Sequence, residues 1–434
     1  MQGDFTRDTF DPTRHFSRVL IQQGRVQLDA DWNEQTAILL HTLRTLTRDL
    51  FGEHGGPGQG AGFAITGAAA AHDFMIGRGH YYVHGILVEN DAACWYRGGA
   101  DLPPQPDHKP EAALEKGKNY LVYLDVWERH ISSVEDDDIR EKALLGPDTA
   151  TRAKVIWQVK VDEMNAGVIG TCDDLAATLR RSPAPQAKAR VMPIKPSVDP
   201  CIQAPNARYR GAENQLYRVE VHQGGRAGAT FKWSRDNGSV IFPVVEMNGV
   251  VATLEHLGRD ARLGLQVGDW VEVVDDDQSL RGDPGPMLQV DAIDAVEMKV
   301  TLKTRAGVAL LPYDETSRNH PYLRRWDHKT DLLGDGAVLL LEDNADQWLD
   351  LEDGVQVQFQ PGGDYRSGDY WLIPARTATG QVEWPGPVDA PEAQPPQGIH
   401  HNIAPLAQIE VDATGVVTVA QDCRLVMTSA MHGL

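Results

Sequence analysis

The feature that most constrains the fold is a narrow leucine stripe near the start of the chain. Apolar side chains recur there at steps of three and four residues, the spacing of one helix face. They are Trp32, Leu39, Leu40, Leu43, Leu46 and Leu50, with Thr36 in the same series. Asp31 and Glu34 have the form of a capping box, and Gly52 ends the run, so a helix over 31–51 of roughly 30 Å is predicted. Such a stripe needs a surface, either the later β-rich chain or copies of the same helix in a coiled-coil seam.

Two short apolar runs precede the helix. Residues 19–21 are typical of a strand, Gln22-Gln23-Gly24 of a turn, and 26–28 of a short return strand. Residues 1–52 are therefore predicted to form a strand-turn-strand plus helix that serves docking or oligomerisation. The predicted interaction residues share the helical stripe and are Trp32, Leu39, Leu43, Leu46 and Leu50.

The rest of the chain contains short apolar runs separated by Gly, Pro and Asp turns at irregular spacing. This pattern favours antiparallel β structure over alternating βαβ units. The predicted fold class is mainly β (α+β), with several small antiparallel β units and one long N-terminal amphipathic helix. Three further regions are predicted: a β-rich domain with short helices at 53–206, a small β-barrel or sandwich at 207–310, and a C-terminal β-rich region at 311–434. Six prolines between 182 and 206 mark the first boundary.

Charge and cysteine content limit the partners and the compartment. The 434 residues carry 41 Lys and Arg against 62 Asp and Glu, a net charge of −21, which repels phosphate and argues against nucleic acid. No run of 18 apolar residues is present, so no membrane insertion is expected, and the polar opening residues indicate synthesis in the cytoplasm. The four cysteines form no CxxC pair and are expected to be reduced and structural.

Two histidine pairs and two acidic triplets are the candidate metal sites. His80 and His84 would lie some 13 Å apart along a strand, and the consecutive His400 and His401 would point to opposite faces, so a structural role is favoured for both pairs. Two acidic triplets lack the spacing of a calcium loop and read as solvated turns. They are Asp136–Asp138 and Asp275–Asp277. The sequence therefore predicts no metal and no cofactor.

Enzyme signatures are also missing. The chain has no GxSxG elbow, no GxGxxG between strand and helix, and no phosphate loop. Asp125 and Glu128 flank Trp127 and could serve sugar chemistry together with His84, but in a strand the two acids face opposite ways. A non-enzymatic role is favoured, and a hidden activity stays open.

Six tryptophans in the second half could form a carbohydrate platform or occupy cores and interfaces. Core or interface positions are favoured, because each lies in or beside an apolar strand pattern. They are Trp233, Trp270, Trp326, Trp348, Trp371 and Trp384.

The opening GDFTRDTFDPTRHFSRVLIQQGRVQLDADWNEQ resembles an uncharacterised bacterial family encoded among phage-tail-like contractile injection system genes. VLIQQGRVQLDADWNEQ is also similar to the N-terminal attachment segments of some phage tail-fibre proteins. LLGPDTATRAKVIWQVKV, AENQLYRVEVH, FKWSRDNGSV and GDYWLIPART extend the first resemblance over most of the chain.

The resemblance implies a structural protein of a contractile particle, at the baseplate, tail fibre or outer surface, and released or surface-associated after assembly. Its implied partners are other tail or baseplate proteins and further copies of the chain, with a homotrimer favoured. No catalytic residue is carried over. The alternative is a carbohydrate-binding or glycan-cleaving module displayed or delivered by such a particle, with a glycan as partner.

Overall fold

A computed structural model describes most of the chain. The described residues are 1–68, 73–99, 101–110, 112–164, 171–179, 184–193, 208–303, 319–329, 336–341 and 347–427. Strands account for 38% and helices for 12% of the chain, which confirms the mainly β class with several antiparallel sheets. None of the described helices combines the length and apolarity that crossing a membrane requires.

Three α-helices are present among the described residues: α1 (Asp29–Phe51), α2 (Cys172–Thr178) and α3 (Asp276–Arg281). Helix α1 has 23 residues and begins two residues before the predicted start. Asp31 accepts a hydrogen bond from the Leu28 N–H at 3.2 Å, whereas the predicted partner Glu34 accepts from the Thr9 hydroxyl at 2.5 Å. The predicted Asp31–Glu34 capping box is therefore wrong. Gly52 ends the helix at φ +74°, as expected.

The described part of the chain contains 24 strands, most of them short. In chain order they are β1 (His54–Gly55), β2 (Ile65–Gly67), β3 (Phe74–Ile76), β4 (Gly79–Val83), β5 (Ile86–Asn90), β6 (Cys94–Trp95), β7 (Asn119–Ile131), β8 (Arg152–Glu163), β9 (Ala187–Val191), β10 (Gln215–Val221), β11 (Thr230–Ser234), β12 (Ile241–Asn248), β13 (Val251–Leu254), β14 (Trp270–Val274), β15 (Met287–Asp294), β16 (Lys299–Lys303), β17 (Tyr322–Trp326), β18 (Val338–Leu339), β19 (Leu349–Asp350), β20 (Val355–Phe359), β21 (Tyr370–Arg376), β22 (Gln381–Val382), β23 (Asn402–Val411) and β24 (Val417–Asp422). All of the ladders between these strands are antiparallel. Some paired strands follow one another in the sequence through a short connection, and others come from distant parts of the chain.

The first body joins the C-terminal hairpin to strands from the first half of the chain. Its four-stranded sheet has the order β24-β23-β7-β8, so the C-terminal hairpin pairs with strands from the first half. Two three-stranded sheets, β1-β4-β5 and β2-β3-β6, contribute to the same core. Tyr81, Val122 and Leu406 are among the buried side chains that alternate along these strands and meet in this core.

The second body holds a five-stranded sheet of order β18-β11-β10-β21-β22 and a three-stranded sheet of order β19-β20-β9. Tyr217, Phe231, Phe359 and Trp371 fill the core between them. A closed six-stranded barrel of order β12-β13-β16-β15-β14-β17 is inserted between β11 and β18. Asn237 and Gly238, both at positive φ, form the tight turn from which the chain enters the barrel.

The sheets do not follow the predicted region boundaries. Strands β10 and β11 lie in the predicted barrel region but pair with β21 and β18. The barrel itself runs from Ile241 to Trp326 and takes its last strand from beyond residue 310. Sequence order cannot reveal such returns, because antiparallel partners here lie more than 100 residues apart.

The cysteine prediction is wrong for two residues. Cys172 at the start of α2 and Cys423 just after β24 form a disulfide that spans 251 residues of sequence. Cys94 is buried and free, and Cys201 lies outside the described residues. The disulfide fastens α2 to the sheet on which it packs.

Candidate functional site

The predicted interaction residues on α1 are all exposed. Their side chains are between 54% and 65% exposed for Trp32, Leu39, Leu43, Leu46 and Leu50, and Leu40 beside them is 40% exposed. At about 100° per residue the first five fall within roughly 60° of the helix circumference. We call these five residues the leucine seam. No described part of the chain covers the leucine seam.

The opposite face of α1 attaches the helix to the first body. Ile38 is 3% exposed, and the Arg44 guanidinium lies 2.7 Å from the Glu128 carboxylate on β7. The Phe51 ring stacks on Tyr82 with centroids 4.6 Å apart. Gly85 lies so close to the Arg44 carbonyl that a Cβ there would collide with it. The helix is therefore attached to the first body through the face opposite the leucine seam, and the seam faces outward.

The predicted strand pair before the helix does not form within the chain, so that prediction is wrong for the isolated chain. Residues 16–28, which we call the arm, are without regular strand structure. The predicted turn is present, since the Arg25 N–H donates to the Gln22 carbonyl at 3.4 Å and Gly24 has φ +71°. Leu20 is 69% and Val26 85% exposed.

The N-terminal residues ahead of the arm contact the second body and the start of α1. Asn237 donates to the Gly3 carbonyl at 2.8 Å, Arg7 pairs with Glu383 at 2.9 Å, and Thr6 donates from its N–H to Asp29 at 2.9 Å. The arm is thus an exposed loop fixed at both ends.

The histidines considered as metal ligands have separate partners. His84 pairs with Glu53 at 2.7 Å, and the His80 ring makes an edge contact with Tyr82. His401 pairs through Nδ1 with Asp125 at 2.8 Å, while the neighbouring His400 is exposed. In the described part of the chain, no group of three or more His, Cys, Asp or Glu side chains is arranged to hold a metal ion.

The two acidic triplets cap helices and form ion pairs. Asp275 accepts from the Gln278 N–H at 2.9 Å at the start of α3, and Asp276 contacts Arg129 at 2.5 Å. Asp136 similarly accepts from the Asp138 N–H at 3.1 Å at a 3-10 turn. These contacts give the acids structural roles.

Asp125 and Glu128 do not form a carboxylate pair. Asp125 contacts Lys160 at 2.7 Å and His401 at 2.8 Å, whereas Glu128 pairs with Arg44 of α1. Burial raises the pKa of Asp125, but hydrogen bonds from His401 and Lys160 outweigh burial and hold it below its ordinary value. The two acids have different partners, as expected from their opposite directions along the strand.

The tryptophans are mainly core residues. Trp233, Trp270, Trp326 and Trp371 are at most 8% exposed. Trp384 packs against the core of the second body, and Trp348 lies under the Arg190 guanidinium at 3.8 Å. They form no exposed aromatic platform in the described chain.

Sequence reasoning missed a buried ionic network between the five-stranded sheet and the barrel. The Lys232 ammonium lies 2.7 Å from Glu272 and 3.2 Å from Glu220, and Arg218 lies 2.5 Å from Glu220. The Trp326 indole N–H donates to Glu272 at 2.9 Å. These side chains are all nearly inaccessible to solvent. Burial opposes ionisation of Glu220, but Arg218 and Lys232 outweigh burial and lower its pKa to about 2.

A second missed group lines a cavity of about 400 Å³ beside this network. Phe231, Trp233 and Leu351 give it an apolar wall, and Asp327 and Glu352 provide carboxylates. Glu352 accepts from the Tyr217 hydroxyl at 3.1 Å and pairs with Arg235 at 2.8 Å. Burial, opposed by Arg235, raises the pKa of Glu352 to about 7. Charged residues inside apolar strand patterns, as in FKWS and YLRRW, were the available signal.

A family model matches residues 1–183 and 168–432, which is nearly the whole chain. The chain belongs to DUF6519, a family of unknown function. No curated protein and no solved structure matches it. For this DUF6519 member, the functional interpretation therefore depends on its own geometry. That geometry includes an exposed apolar seam and a cavity in which polar groups converge.

Proposed function

We propose that this protein is a structural and interaction component of a phage-tail-like contractile injection particle, at its baseplate, fibre or outer surface. It assembles with further copies of itself through the leucine seam and the arm. The observation that carries the proposal is the exposure of the leucine seam on a helix whose other face is already attached to the protein body.

The spacing of the seam fits self-association. Steps of seven, four, three and four residues place Trp32, Leu39 and Leu46 at one core position of a heptad and Leu43 and Leu50 at the other. This is the geometry in which a second helix inserts its side chains between those of the first. Each leucine that becomes fully buried contributes about 1.5–3 kcal/mol. Helix α1 thus acts as the amphipathic helix of the proposed interface.

Charge along the seam also fits a second copy as the partner. The residues flanking the core positions on the seam side, at 33, 35, 40, 42, 47 and 49, carry a single charge, Asp49. Two copies of the chain, each with a net charge of −21, repel one another over most of their surface. The neutral seam is where copies can approach without that repulsion.

The size of the apolar surface supports the same conclusion. Six half-exposed helix side chains present on the order of 600 Å² of apolar area at about 100 Å² each, and a standard interface buries about 800 Å² per partner. The arm adds Leu20, Ile21, Val26 and Leu28, which are all at least 42% exposed. Such a patch exceeds what monomers usually expose.

The arm has the register of a hairpin that lacks a supporting surface. A two-residue turn between Gln22 and Arg25 places Ile21 opposite Val26 and Val19 opposite Leu28, with all four on one face. An isolated hairpin is marginally stable at best, so covering this face by another copy would favour strand pairing.

The particle context comes from the resemblance of the opening residues to the contractile-system family and to tail-fibre attachment segments. The same resemblance favours a homotrimer. Within such a particle the β-rich bodies would form the rigid outer part, and other tail or baseplate proteins would be the neighbours.

Assembly is tested by the mass of the full-length chain in solution. Multi-angle light scattering should give a multiple of the 47.7 kDa chain mass, three times that value for the favoured trimer. The double variant Leu43→Asp/Leu46→Asp should be monomeric with an unchanged circular dichroism spectrum, because two carboxylates cannot be buried in the seam. Val296→Asp, at a 90% exposed barrel position, is the matched control and should keep the wild-type mass. A monomeric wild type would refute seam-mediated self-assembly.

The particle is tested in the producing bacterium. A tagged chromosomal copy should sediment with contractile sheath proteins, and the Leu43→Asp/Leu46→Asp variant should be lost from that fraction. If the wild-type protein stays in the supernatant of intact sheath preparations, the particle assignment is wrong.

A further inference from the structure

We infer that the cavity between the five-stranded and three-stranded sheets of the second body binds a neutral sugar. Phe231, Trp233 and Val338 line one side, and Leu349 and Leu351 line the other. We call this space the Glu352 cavity. The inference is independent of the proposed assembly, because the cavity and α1 lie on different bodies.

The volume and the lining are those of a small-molecule site. About 400 Å³ falls within the usual range of ligand pockets, which combine an apolar wall with a few convergent polar groups. Here the apolar wall meets Asp327, Asp350 and Glu352 together with Lys329. A sugar ring offers a matching combination of C–H faces and hydroxyl groups.

The Nε–H groups of two arginines beside Asp327 lack hydrogen-bond acceptors. The Nε atoms of Arg235 and Arg325 are buried, and neither has a hydrogen-bond partner in the described part of the chain. They face the same Asp327 oxygen at 3.6 Å and 3.5 Å, too far for direct hydrogen bonds. Buried N–H donors without acceptors are costly, and both of these face Asp327, which lines the cavity.

The mixed charges select the ligand class. A phosphate or carboxylate would be repelled by the three acids that line the cavity. A cation would be repelled by Lys329 and by the Arg235 guanidinium, which already pairs with Glu352. A hydroxyl both donates and accepts, so it can donate to Asp327 or Glu352 while accepting from Lys329.

Glu352 is held in position for this role. The Tyr217 hydroxyl contacts one of its oxygens at 3.1 Å and Arg235 contacts the other at 2.8 Å. Arg235 also reaches Asp327, so one guanidinium links the two carboxylates. Such fixed, partly desolvated acids beside a cavity are typical of binding sites.

The test uses the full-length chain and four-unit sugars as probes. Saturation-transfer NMR and calorimetry would compare neutral cellotetraose, maltotetraose and chitotetraose with anionic tetragalacturonate and cationic tetraglucosamine. At least one neutral probe should bind, and the two charged probes should not. Binding of only a charged probe, or of none at millimolar concentration, would overturn the inference.

Variants place the binding in the cavity. Glu352→Gln and Asp327→Asn should each weaken binding at least tenfold, while Glu297→Gln on an exposed barrel turn should leave it unchanged. If either cavity variant does not fold, Leu351→Arg provides the same test by filling the mouth. Unchanged affinity in the folded cavity variants would overturn the inference. The Leu43→Asp/Leu46→Asp variant should bind the sugar normally, which separates this result from the assembly test.

Discussion

The buried network around Lys232 makes a quantitative prediction about stability. Replacing Lys232 with Met keeps most of the side-chain volume but removes the ammonium that lies 2.7 Å from Glu272 and 3.2 Å from Glu220. Glu220 retains Arg218 at 2.5 Å, whereas Glu272 keeps hydrogen bonds from the Trp326 indole and the Gly285 N–H and has the His222 ring 3.8 Å away. The Glu272 carboxylate therefore stays buried without the ammonium that pairs with it most closely.

Breaking a buried ion pair in this way costs about 3–5 kcal/mol of unfolding free energy. Urea unfolding followed by tryptophan fluorescence measures the loss, because Trp326 lies under the Lys232 ammonium at 4.7 Å. Lys299→Met is the matched control. It removes a Lys from an exposed pair with Glu297 and should cost less than about 0.5 kcal/mol.

A double variant separates charge from packing. Lys232→Met/Glu272→Gln removes the unpaired carboxylate and should recover about half or more of the loss, since the remaining cost is imperfect hydrogen bonding. A loss below about 1 kcal/mol for Lys232→Met alone would refute the assignment of a tightly paired, desolvated network. A double variant no more stable than the single one would show that packing, not charge, causes the loss.

Two further predictions concern the disulfide and Glu352. Cys172→Ser should lower the unfolding free energy by about 3–5 kcal/mol, because the bond closes a loop of 251 residues. A reducing agent should lower the melting temperature of the wild type but not of this variant. Equal responses of the two proteins to the reducing agent would contradict the disulfide. Glu352 has its pKa raised from 4.5 to about 7, so the folded state retains its proton longer than the unfolded state. The unfolding free energy of the wild type relative to Glu352→Gln should therefore fall by about 3 kcal/mol as pH rises from 4.5 to 7. Chemical unfolding at several pH values measures this difference, and a difference that does not change with pH would contradict the raised pKa.

The features predicted correctly from the sequence are local ones. The leucine stripe gave a helix that ends at Gly52, and the short apolar runs gave antiparallel strands such as β10 and β11. The turn at Gln23-Gly24 is also present. These succeed because spacing, capping and glycine conformation act within a few residues.

The features that were missed depend on contacts between distant residues. Lys232 and Glu272 lie on strands of different sheets, and neither residue type indicates its partner in the sequence. The bond between Cys172 and Cys423 is equally invisible, because cysteine spacing does not determine pairing. The arm shows a different failure, because the predicted strands do not pair and their apolar side chains stay exposed in the described part of the chain.

The way α1 is attached bears on how assembly can occur. Because Arg44, Ile38 and Phe51 hold the helix from the side opposite the seam, copies can meet through the seam without detaching the helix from the body. Little conformational entropy is then lost in the helix on association, and most of the apolar burial contributes to affinity. The arm is different, because its strands must still become ordered. In the proposed assembly, the seams of two copies should therefore associate first, and the arm should become ordered afterwards. Hydrogen exchange should accordingly show protected α1 amides in oligomers whose arm carries Val26→Pro.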